Sequence, residues 1–167
     1  MVAVFALVSM MLFSVSSYAQ NSRASVSGAE VTGTFKMSFI GKKFKDFSNQ
    51  LEIQALGGGK LKIAFDLVYP YTLKNGEVSV NMGSLSGEAD IKGDTAVYQS
   101  KDEFGACKIT IKFVRPGEVK VTQDGTDGNC GFGHNVSSQG TYRKVSSKKP
   151  KFETVALHPG EIPWNGQ

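Results

Sequence analysis

Apolar and polar residues alternate over most of this chain, and no other feature restricts its fold as strongly. Between residues 31 and 145 apolar side chains recur at every second position, not with the 3.6-residue period of a helix. In the segment 31–39, VTGTFKMSF, Phe35 and Met37 alternate with polar neighbours. A period of two places one face of a strand in a core and the other in water. The pattern therefore predicts an all-β protein without a long helix.

Glycine-rich segments separate the alternating runs and predict tight turns between neighbouring strands. Gly57-Gly58-Gly59 and Asn75-Gly76 supply residues that tolerate positive φ angles, as short hairpin turns require. Lys92-Gly93-Asp94 and Pro116-Gly117 mark two further turns. A meander of short antiparallel strands must hide its two edges. We therefore predict a single antiparallel eight- or nine-stranded barrel at residues 31–145, with a two-sheet β-sandwich as the alternative.

Residues 1–19 have the composition of a secretory signal peptide. They contain no charged side chain and are apolar over most of their length. Small residues at Ser17 and Ala19 suit the signal peptidase, which predicts cleavage before Gln20. The apolar run is shorter than the roughly 20 residues that cross a bilayer. We therefore expect no transmembrane segment in the mature chain and a periplasmic or secreted location.

The two cysteines of the chain agree with export. The chain has two cysteines, Cys107 and Cys130, and an even number is expected where all cysteines pair in an oxidising compartment. Their spacing is not that of a C-x-x-C redox pair, and His134 is the only nitrogen ligand near them in sequence. We predict a structural disulfide between them.

Segments on either side of the alternating region lack its period. Residues 20–30 form an N-terminal lead, and residues 146–167, which contain several prolines, predict an extended or flexible tail. Inside the region, residues 40–49 are expected to form a short helix or a lid.

Few residues could carry catalysis. The chain has two histidines and no motif of a hydrolase nucleophile, a phosphate-binding loop or a zinc enzyme. An enzyme would need Asp94, Asp124 and Asp127 to converge in a cleft. Residues 123–129 contain carboxylates and an amide, but their spacing is wrong for a calcium loop, and turns favour the same residues. We predict a protein that is not an enzyme and has no catalytic residues, no metal site and no cofactor.

The chain has a net charge of +4 and a pI of about 9.0, and many of its lysines fall at outward strand positions, in the first loop or in the tail. Aromatic residues do not interleave with these lysines, so we expect no nucleic-acid partner. One interpretation is a solvated exterior that resists pairing at sheet edges. The other is a surface attracted to anionic partners such as lipopolysaccharide, acidic glycans or a negatively charged protein.

Inward strand positions would line the barrel. Eight strands enclose an interior that is either packed shut or able to hold one small apolar ligand, and the sequence leaves both open. For a hollow barrel, the predicted walls of the ligand site are Phe35, Phe65, Tyr69, Tyr98 and Phe113.

Two short motifs resemble the ends of calycins, the lipocalin-like barrels. They are Gly33-Thr34-Phe35 near the first strand and Gly140-Thr141-Tyr142-Arg143 in the last. In calycins the first strand has G-x-W and the closing strand supplies an arginine over the tryptophan ring. The resemblance implies a calycin-like barrel in which Phe35 replaces the tryptophan and Arg143 covers it.

The C-terminal half is similar to that of small exported bacterial β-barrel proteins of unassigned function. The similarity includes Cys107, the run Cys130-Gly131-Phe132-Gly133-His134-Asn135-Val136, and Gly140-Thr141-Tyr142. The size, barrel and single disulfide also resemble periplasmic lysozyme inhibitors. Ser86-Gly87-Glu88-Ala89-Asp90 begins the S-G-x-x-Y loop of that family but has Asp90 at the tyrosine position. The latter resemblance implies loop residues that plug a hydrolase cleft.

These patterns predict two functions for an exported, monomeric, non-enzymatic binding module. In the first, the barrel holds a small apolar or amphipathic ligand. In the alternative, the protein is an inhibitor or interaction partner of an envelope protein, for example a cell-wall hydrolase. The disulfide loop would then present Phe132, His134 and Asn135 at low entropic cost, which requires these side chains to be exposed.

Overall fold

The computed structural model describes residues 24–102 and 105–152, and these residues form eight strands and one short helix. The predicted signal peptide and residues 153–167 of the predicted tail lie outside the described residues. Within the described ranges, no helix is long and apolar enough to cross a membrane. The elements are α1 (Gly28–Val31), β1 (Gly33–Ser38), β2 (Ser48–Gly57), β3 (Lys60–Thr72), β4 (Val78–Lys92), β5 (Thr95–Asp102), β6 (Gly105–Arg115), β7 (Glu118–Asp124), a 3₁₀ turn (Gly128–Cys130) and β8 (Gly140–Ser146).

The strands form one antiparallel sheet that closes on itself. Each strand pairs with the next along the chain, and β1 also pairs with β8. Phe35 of β1, for example, lies opposite Leu51 of β2 on one side and Lys144 of β8 on the other. The all-β prediction is confirmed, and the described strands form one sheet instead of the two sheets of a sandwich. The end of this ring next to α1 is called the helix end below, and the opposite end is called the loop end.

The fourth strand, β4, is continuous although the parity of its apolar residues changes. Val78, Val80 and Met82 occupy even positions, whereas apolar residues from Leu85 onward occupy odd positions. The pairing of β4 with β3 is unbroken across this change. Val78 and Val80 therefore lie on the outer face, not on the inner face that their alternation suggested. The change of parity explains why eight and nine strands were both compatible with the sequence.

Two local predictions differ from the structure. Residues 40–49 form consecutive turns and the start of β2 instead of a short helix or lid, with Phe44 N donating to Gly41 O at 3.2 Å. Asn49 explains the early start of β2, because its buried Oδ1 accepts from the backbone N–H of Val68 in β3 at 2.8 Å. Val136, whose apolar side chain before Gly140 suggested an early start of the last strand, is a buried loop residue before β8.

Apolar side chains fill the ring from the inner face of every strand. Burial of this surface supplies most of the driving force for folding. The buried inner residues are Phe35, Leu51, Ile53, Leu61, Ile63, Phe65, Leu67, Ala89, Ala96, Cys107, Ile109, Ile111, Phe113, Val119, Val121 and Tyr142.

At the helix end, a lysine of the last strand holds α1 against the ring. Lys144 Nζ lies 5.3 Å from the centroid of the Phe35 ring. Burial lowers the pKa of Lys144, and the charge of Glu30 acts in the opposite direction. Its ammonium group donates to three backbone carbonyl oxygens, those of Ala29 at 3.3 Å, Glu30 at 2.6 Å and Thr32 at 2.8 Å.

Arg143 does not cover Phe35, contrary to what the calycin resemblance implied. Its guanidinium lies on the outer face, where Nε is 3.3 Å from Glu118 Oε2. Phe35 instead pairs with Lys144, and the register of β1 against β8 shifts between Thr34 and Phe35. Because Tyr142 points inward opposite Val119 of β7, alternation along β8 places Arg143 outside and Lys144 inside.

The chain beyond β8 continues along the outside of the sheet. Pro150 is buried, and Lys62 Nζ of β3 lies 4.8 Å from the centroid of the Phe152 ring. The first residues of the predicted tail therefore pack on the ring.

Candidate functional site

The disulfide predicted from the sequence is confirmed. It joins Cys107 of β6 to Cys130 in the 3₁₀ turn, with their Cα atoms 4.9 Å apart. Both cysteines are buried. The bond fastens the segment 125–139 between β7 and β8, called the disulfide loop below, to the loop end of the ring.

The disulfide loop lies where the ring is weakest. Strands β4 and β5 pair only through Asp90, Ile91 and Lys92 of β4, so the rest of their facing edges diverge toward the loop end. The loop enters this seam, where Gly133 N donates to Met82 O at 3.2 Å. A strand edge that would otherwise lack a partner thus receives a backbone hydrogen bond.

Two aromatic rings pack against two glycines of β4 along the same seam. A Cβ atom added to Gly83 would lie 3.0 Å from Cβ of Phe132, and one added to Gly87 would lie 2.6 Å from the Tyr98 ring. The absence of side chains at these inner positions leaves room for the rings. Phe132 is consequently only 7% exposed, so it packs in the core instead of being presented to a partner as predicted.

Asp127 fixes the path of the disulfide loop. Its Oδ1 accepts from Gly128 N at 2.9 Å, and its Oδ2 accepts from Asn135 N at 2.7 Å. These backbone hydrogen bonds, Asn135 first, lower the pKa of Asp127, and His134, whose Nδ1 lies 4.0 Å from Oδ2, acts in the same direction. Asn81 of β4 adds a bond from Nδ2 to His134 O at 2.7 Å.

A second set of bonds ties the end of the loop to the core. Gln123 Oε1 accepts from the backbone N–H and the hydroxyl of buried Ser138, both at 2.9 Å. The Tyr142 hydroxyl donates to Ser138 O at 2.9 Å from the ring interior. Burial raises the pKa of Tyr142, so its hydroxyl stays a donor over the physiological pH range.

The side chains of His134 and Asn135 are among those that remain outside the loop. The His134 side chain is 83% exposed, and Asn135 is also exposed. Asn135 has a φ of 61°, the one positive φ among non-glycine residues in the described part of the chain. Asparagine tolerates this left-handed conformation better than most residues with a side chain. His134 and Asn135 are called the loop face below.

The five predicted ligand-site residues are not gathered around one space. Phe35, Phe65 and Phe113 are at most 2% exposed and pack inside the ring, and Phe65 makes an edge-to-face contact with Tyr142 at 6.2 Å. Tyr98 is half-buried in the seam. Tyr69 is 39% exposed and stacks with Tyr71 on the part of the β3–β4 hairpin that extends beyond β2.

The three carboxylates considered for catalysis are also apart. Asp94 O accepts from Phe113 N near the end of β6, whereas Asp124 lies opposite Lys108 near its beginning. Five residues of strand separate these two points, which is about 17 Å. Asp127 is engaged within the disulfide loop. In residues 24–102 and 105–152, no group of three potential metal ligands is formed.

Sequence reasoning missed Asp127 and Lys144 as organising residues and missed the two glycines of the seam. For the glycines a signal existed. Gly83 and Gly87 are four residues apart and so share one face of a strand, and glycine within a strand often marks a close approach of another group. For Asp127 and Lys144 no spacing rule was available. Asp127 accepts from backbone N–H groups of its own irregular loop, and Lys144 donates to carbonyls more than 110 positions away in the chain.

Comparison of the chain with family models, curated proteins and solved structures finds no match. The functional argument therefore depends on the geometry of the ring and of the disulfide loop.

Proposed function

We propose that this protein is an exported, non-enzymatic interaction module that binds an envelope protein through the loop face, His134 and Asn135. A cell-wall hydrolase is an example of such a partner. The rigidity of the loop is the observation that carries this proposal. One disulfide, the carboxylate of Asp127 and the Asn81 side chain fix its backbone while both side chains face solvent.

A loop held in this way is suited to recognition because little conformational entropy remains to be lost on binding. Residues on loops positioned by a rigid scaffold also carry a large share of binding functions. The backbone of Asn135 is fixed by the bond from its N–H to Asp127 Oδ2, which leaves the asparagine side chain exposed on a defined backbone.

The small-ligand function receives less support. The side chains that would surround a ligand already pack on one another, and most inner residues have almost no surface within reach of a water molecule. A ligand would have to displace Tyr98 or Phe132 from the seam. We therefore place recognition on the outside of the ring.

The proposal includes a calycin-like barrel and a periplasmic or secreted location. The contact of Lys144 with Phe35 and with the carbonyls of α1 supports the first, because it joins the closing strand to the first strand where calycins use an arginine. The disulfide supports the second, because such bonds persist in oxidising compartments.

Site-specific photo-crosslinking in an exporting host tests the proposal. A photoreactive phenylalanine analogue at position 134 is compared with the same analogue at Lys92, the exposed last residue of β4 at the helix end. We expect one discrete crosslinked protein from position 134 and none of that species from position 92.

The Asp127→Ala variant, combined with the analogue at position 134, provides the control for loop geometry. It should weaken the crosslink while leaving the protein folded, as checked by circular dichroism. Equal crosslinking from both positions, or none from position 134 at native expression, would refute the proposal.

A further inference from the structure

Charged residues that lie opposite each other on neighbouring strands of the ring are mostly complementary. Opposite charges across strands stabilise a sheet, and like charges directly opposite each other destabilise it. The complementary pairs are Lys60 with Asp90, Lys62 with Glu88, Lys108 with Asp124, Arg115 with Glu118, and Glu118 with Arg143.

Two pairs break this rule, and they are neighbours. Lys112 of β6 lies opposite Lys120 of β7, and Arg143 of β8 lies opposite Lys36 of β1. Because β6, β7, β8 and β1 are consecutive in the ring, the four cations follow one another across the outer face. Three strand spacings separate the first from the last, which is about 15 Å. These residues are called the basic stripe below.

Nearby carboxylates neutralise the basic stripe only in part. Glu118 is shared between Arg115, at 2.7 Å, and Arg143, at 3.3 Å. Asp94 Oδ2 is 4.0 Å from Lys112 Nζ. Lys36 and Lys120 are exposed. Four cations therefore meet two carboxylates, one of which also serves a fifth cation.

The charge is also distributed unevenly around the ring. Strands β5 to β8 and β1 contain eight lysines or arginines and three acidic residues, whereas β2 to β4 contain three basic and four acidic residues. Next to Arg143, a shallow hollow of about 500 Å³ is lined by Arg115, Glu118 and Lys144, among others. An anionic partner would meet this side of the ring first.

We propose that the basic stripe binds an acidic polysaccharide, independently of the loop face. A linear, flexible polyanion can follow the convex outer face of a closed sheet and contact cations on four successive strands. The exposed Thr141, opposite Lys120, offers a hydroxyl to sugar groups. The outward positions beside the stripe hold threonines and no aromatic rings, so stacking of nucleobases has no platform there.

The test measures binding of the purified mature protein to heparin, as a sulfated probe, and to polygalacturonate, as a carboxylated probe. The test variant is Lys112→Gln/Lys120→Gln. The matched control, Lys60→Gln/Lys62→Gln, removes the same charge from lysines that face carboxylates. Uncharged dextran, single-stranded DNA and vesicles containing anionic lipid are measured alongside at low and high salt.

We expect binding to at least one acidic polysaccharide that weakens with salt. Losing two cations near an anionic polymer should weaken binding roughly tenfold or more in the test variant, and the control should change it less than about twofold. Equal losses in both variants, absence of binding to either polysaccharide, or tighter binding to DNA or vesicles would overturn the proposal. Lys36→Gln, a single substitution at an exposed position, repeats the test if the double variant unfolds.

Discussion

At the scale of single residues, Lys144 determines how the N-terminal helix is held. Its three bonds to backbone carbonyls connect α1 to the last strand. Because hydrogen bonds from a charged donor contribute about 1.5–3 kcal/mol, Lys144→Met should lower the free energy of unfolding by about 2 kcal/mol. Arg143→Gln, which removes an exposed ion pair, should lower it by less than about 1 kcal/mol. Urea unfolding of both variants measures these changes. Equal losses of unfolding free energy would contradict the assigned role of Lys144.

Asp127 makes the disulfide loop sensitive to acid. Its pKa is lower in the folded protein than in the unfolded chain, since Asn135 and Gly128 donate to the carboxylate. Its contribution to stability is therefore complete above the ordinary aspartate pKa of about 3.9 and is lost as the pH falls through the lower folded-state pKa. We expect the amide of Asn135 to lose protection from hydrogen exchange below about pH 4.

Asp127→Asn, which cannot titrate, should remove this pH dependence at Asn135. The amide of Ile111, in the middle of β6 between β5 and β7, serves as an internal reference. A protection profile of Asn135 that is unchanged by the substitution would show that Asp127 does not control the loop.

The sequence predicted the role of residues whose type indicates it, such as the cysteines. It missed residues whose role depends on contacts with distant parts of the chain. The pairing of Cys107 with Cys130 followed from the even number of cysteines and from the predicted export of the chain to an oxidising compartment. Lys144 shares the inner face of β8 with Tyr142. Its carbonyl partners lie 112 to 115 positions away in the chain, so the local pattern could not reveal them. The burial of Phe132 depends on Gly83, which is 49 positions away in the chain, so local pattern could not reveal it.

At the scale of elements, the seam between β4 and β5 depends on two side chains being absent. Gly87→Ala should lower the free energy of unfolding by about 1–3 kcal/mol, because the added Cβ would lie 2.6 Å from the Tyr98 ring. Gly128→Ala is the control, since its added Cβ would meet only Thr126 Oγ1 at 3.9 Å. Thermal unfolding of the two variants tests this. A neutral Gly87→Ala would mean that Tyr98 does not close the seam.

The basic stripe makes a second prediction at this scale. Lys120→Glu turns a like-charged cross-strand pair with Lys112 into a complementary one and should raise stability by about 0.2–1 kcal/mol at low salt. Lys62→Glu does the reverse opposite Glu88 and should lower stability by a similar amount. Both effects should shrink in 1 M salt. Urea titrations at two salt concentrations measure them, and changes of the same sign would contradict the charge pattern.

Strand positions were predictable because alternation and turn residues are local signals. The hairpin turn at Asn75-Gly76 joins β3 to β4 as expected. The continuity of β4 was not predictable, because its apolar side chains change face where the hairpin leaves the ring. The seam was equally hidden, since only three residues of β4 pair with β5 and no local feature marks where the two strands part.

At the scale of the whole molecule, the ring is covered at each end by a different device. The helix end is covered by α1, which Lys144 holds, and the loop end by the disulfide loop, which enters the seam. The sheet closes through the pairing of β1 with β8, as an all-β chain with adjacent antiparallel strands can do, but the filling of the ring could not be predicted from the sequence. Volume and packing decide that point, and alternation reports only which face is inward.

Native mass spectrometry of the mature protein, purified from an exporting host, shows whether side chains alone fill the ring. We expect a chain that begins at Gln20 and carries no bound small molecule. Its mass should be two hydrogens lower than that of the reduced form because of the Cys107–Cys130 bond. A small molecule that binds reproducibly in a one-to-one ratio and is released on unfolding would contradict a filled ring. It would identify the ring as a container for a ligand.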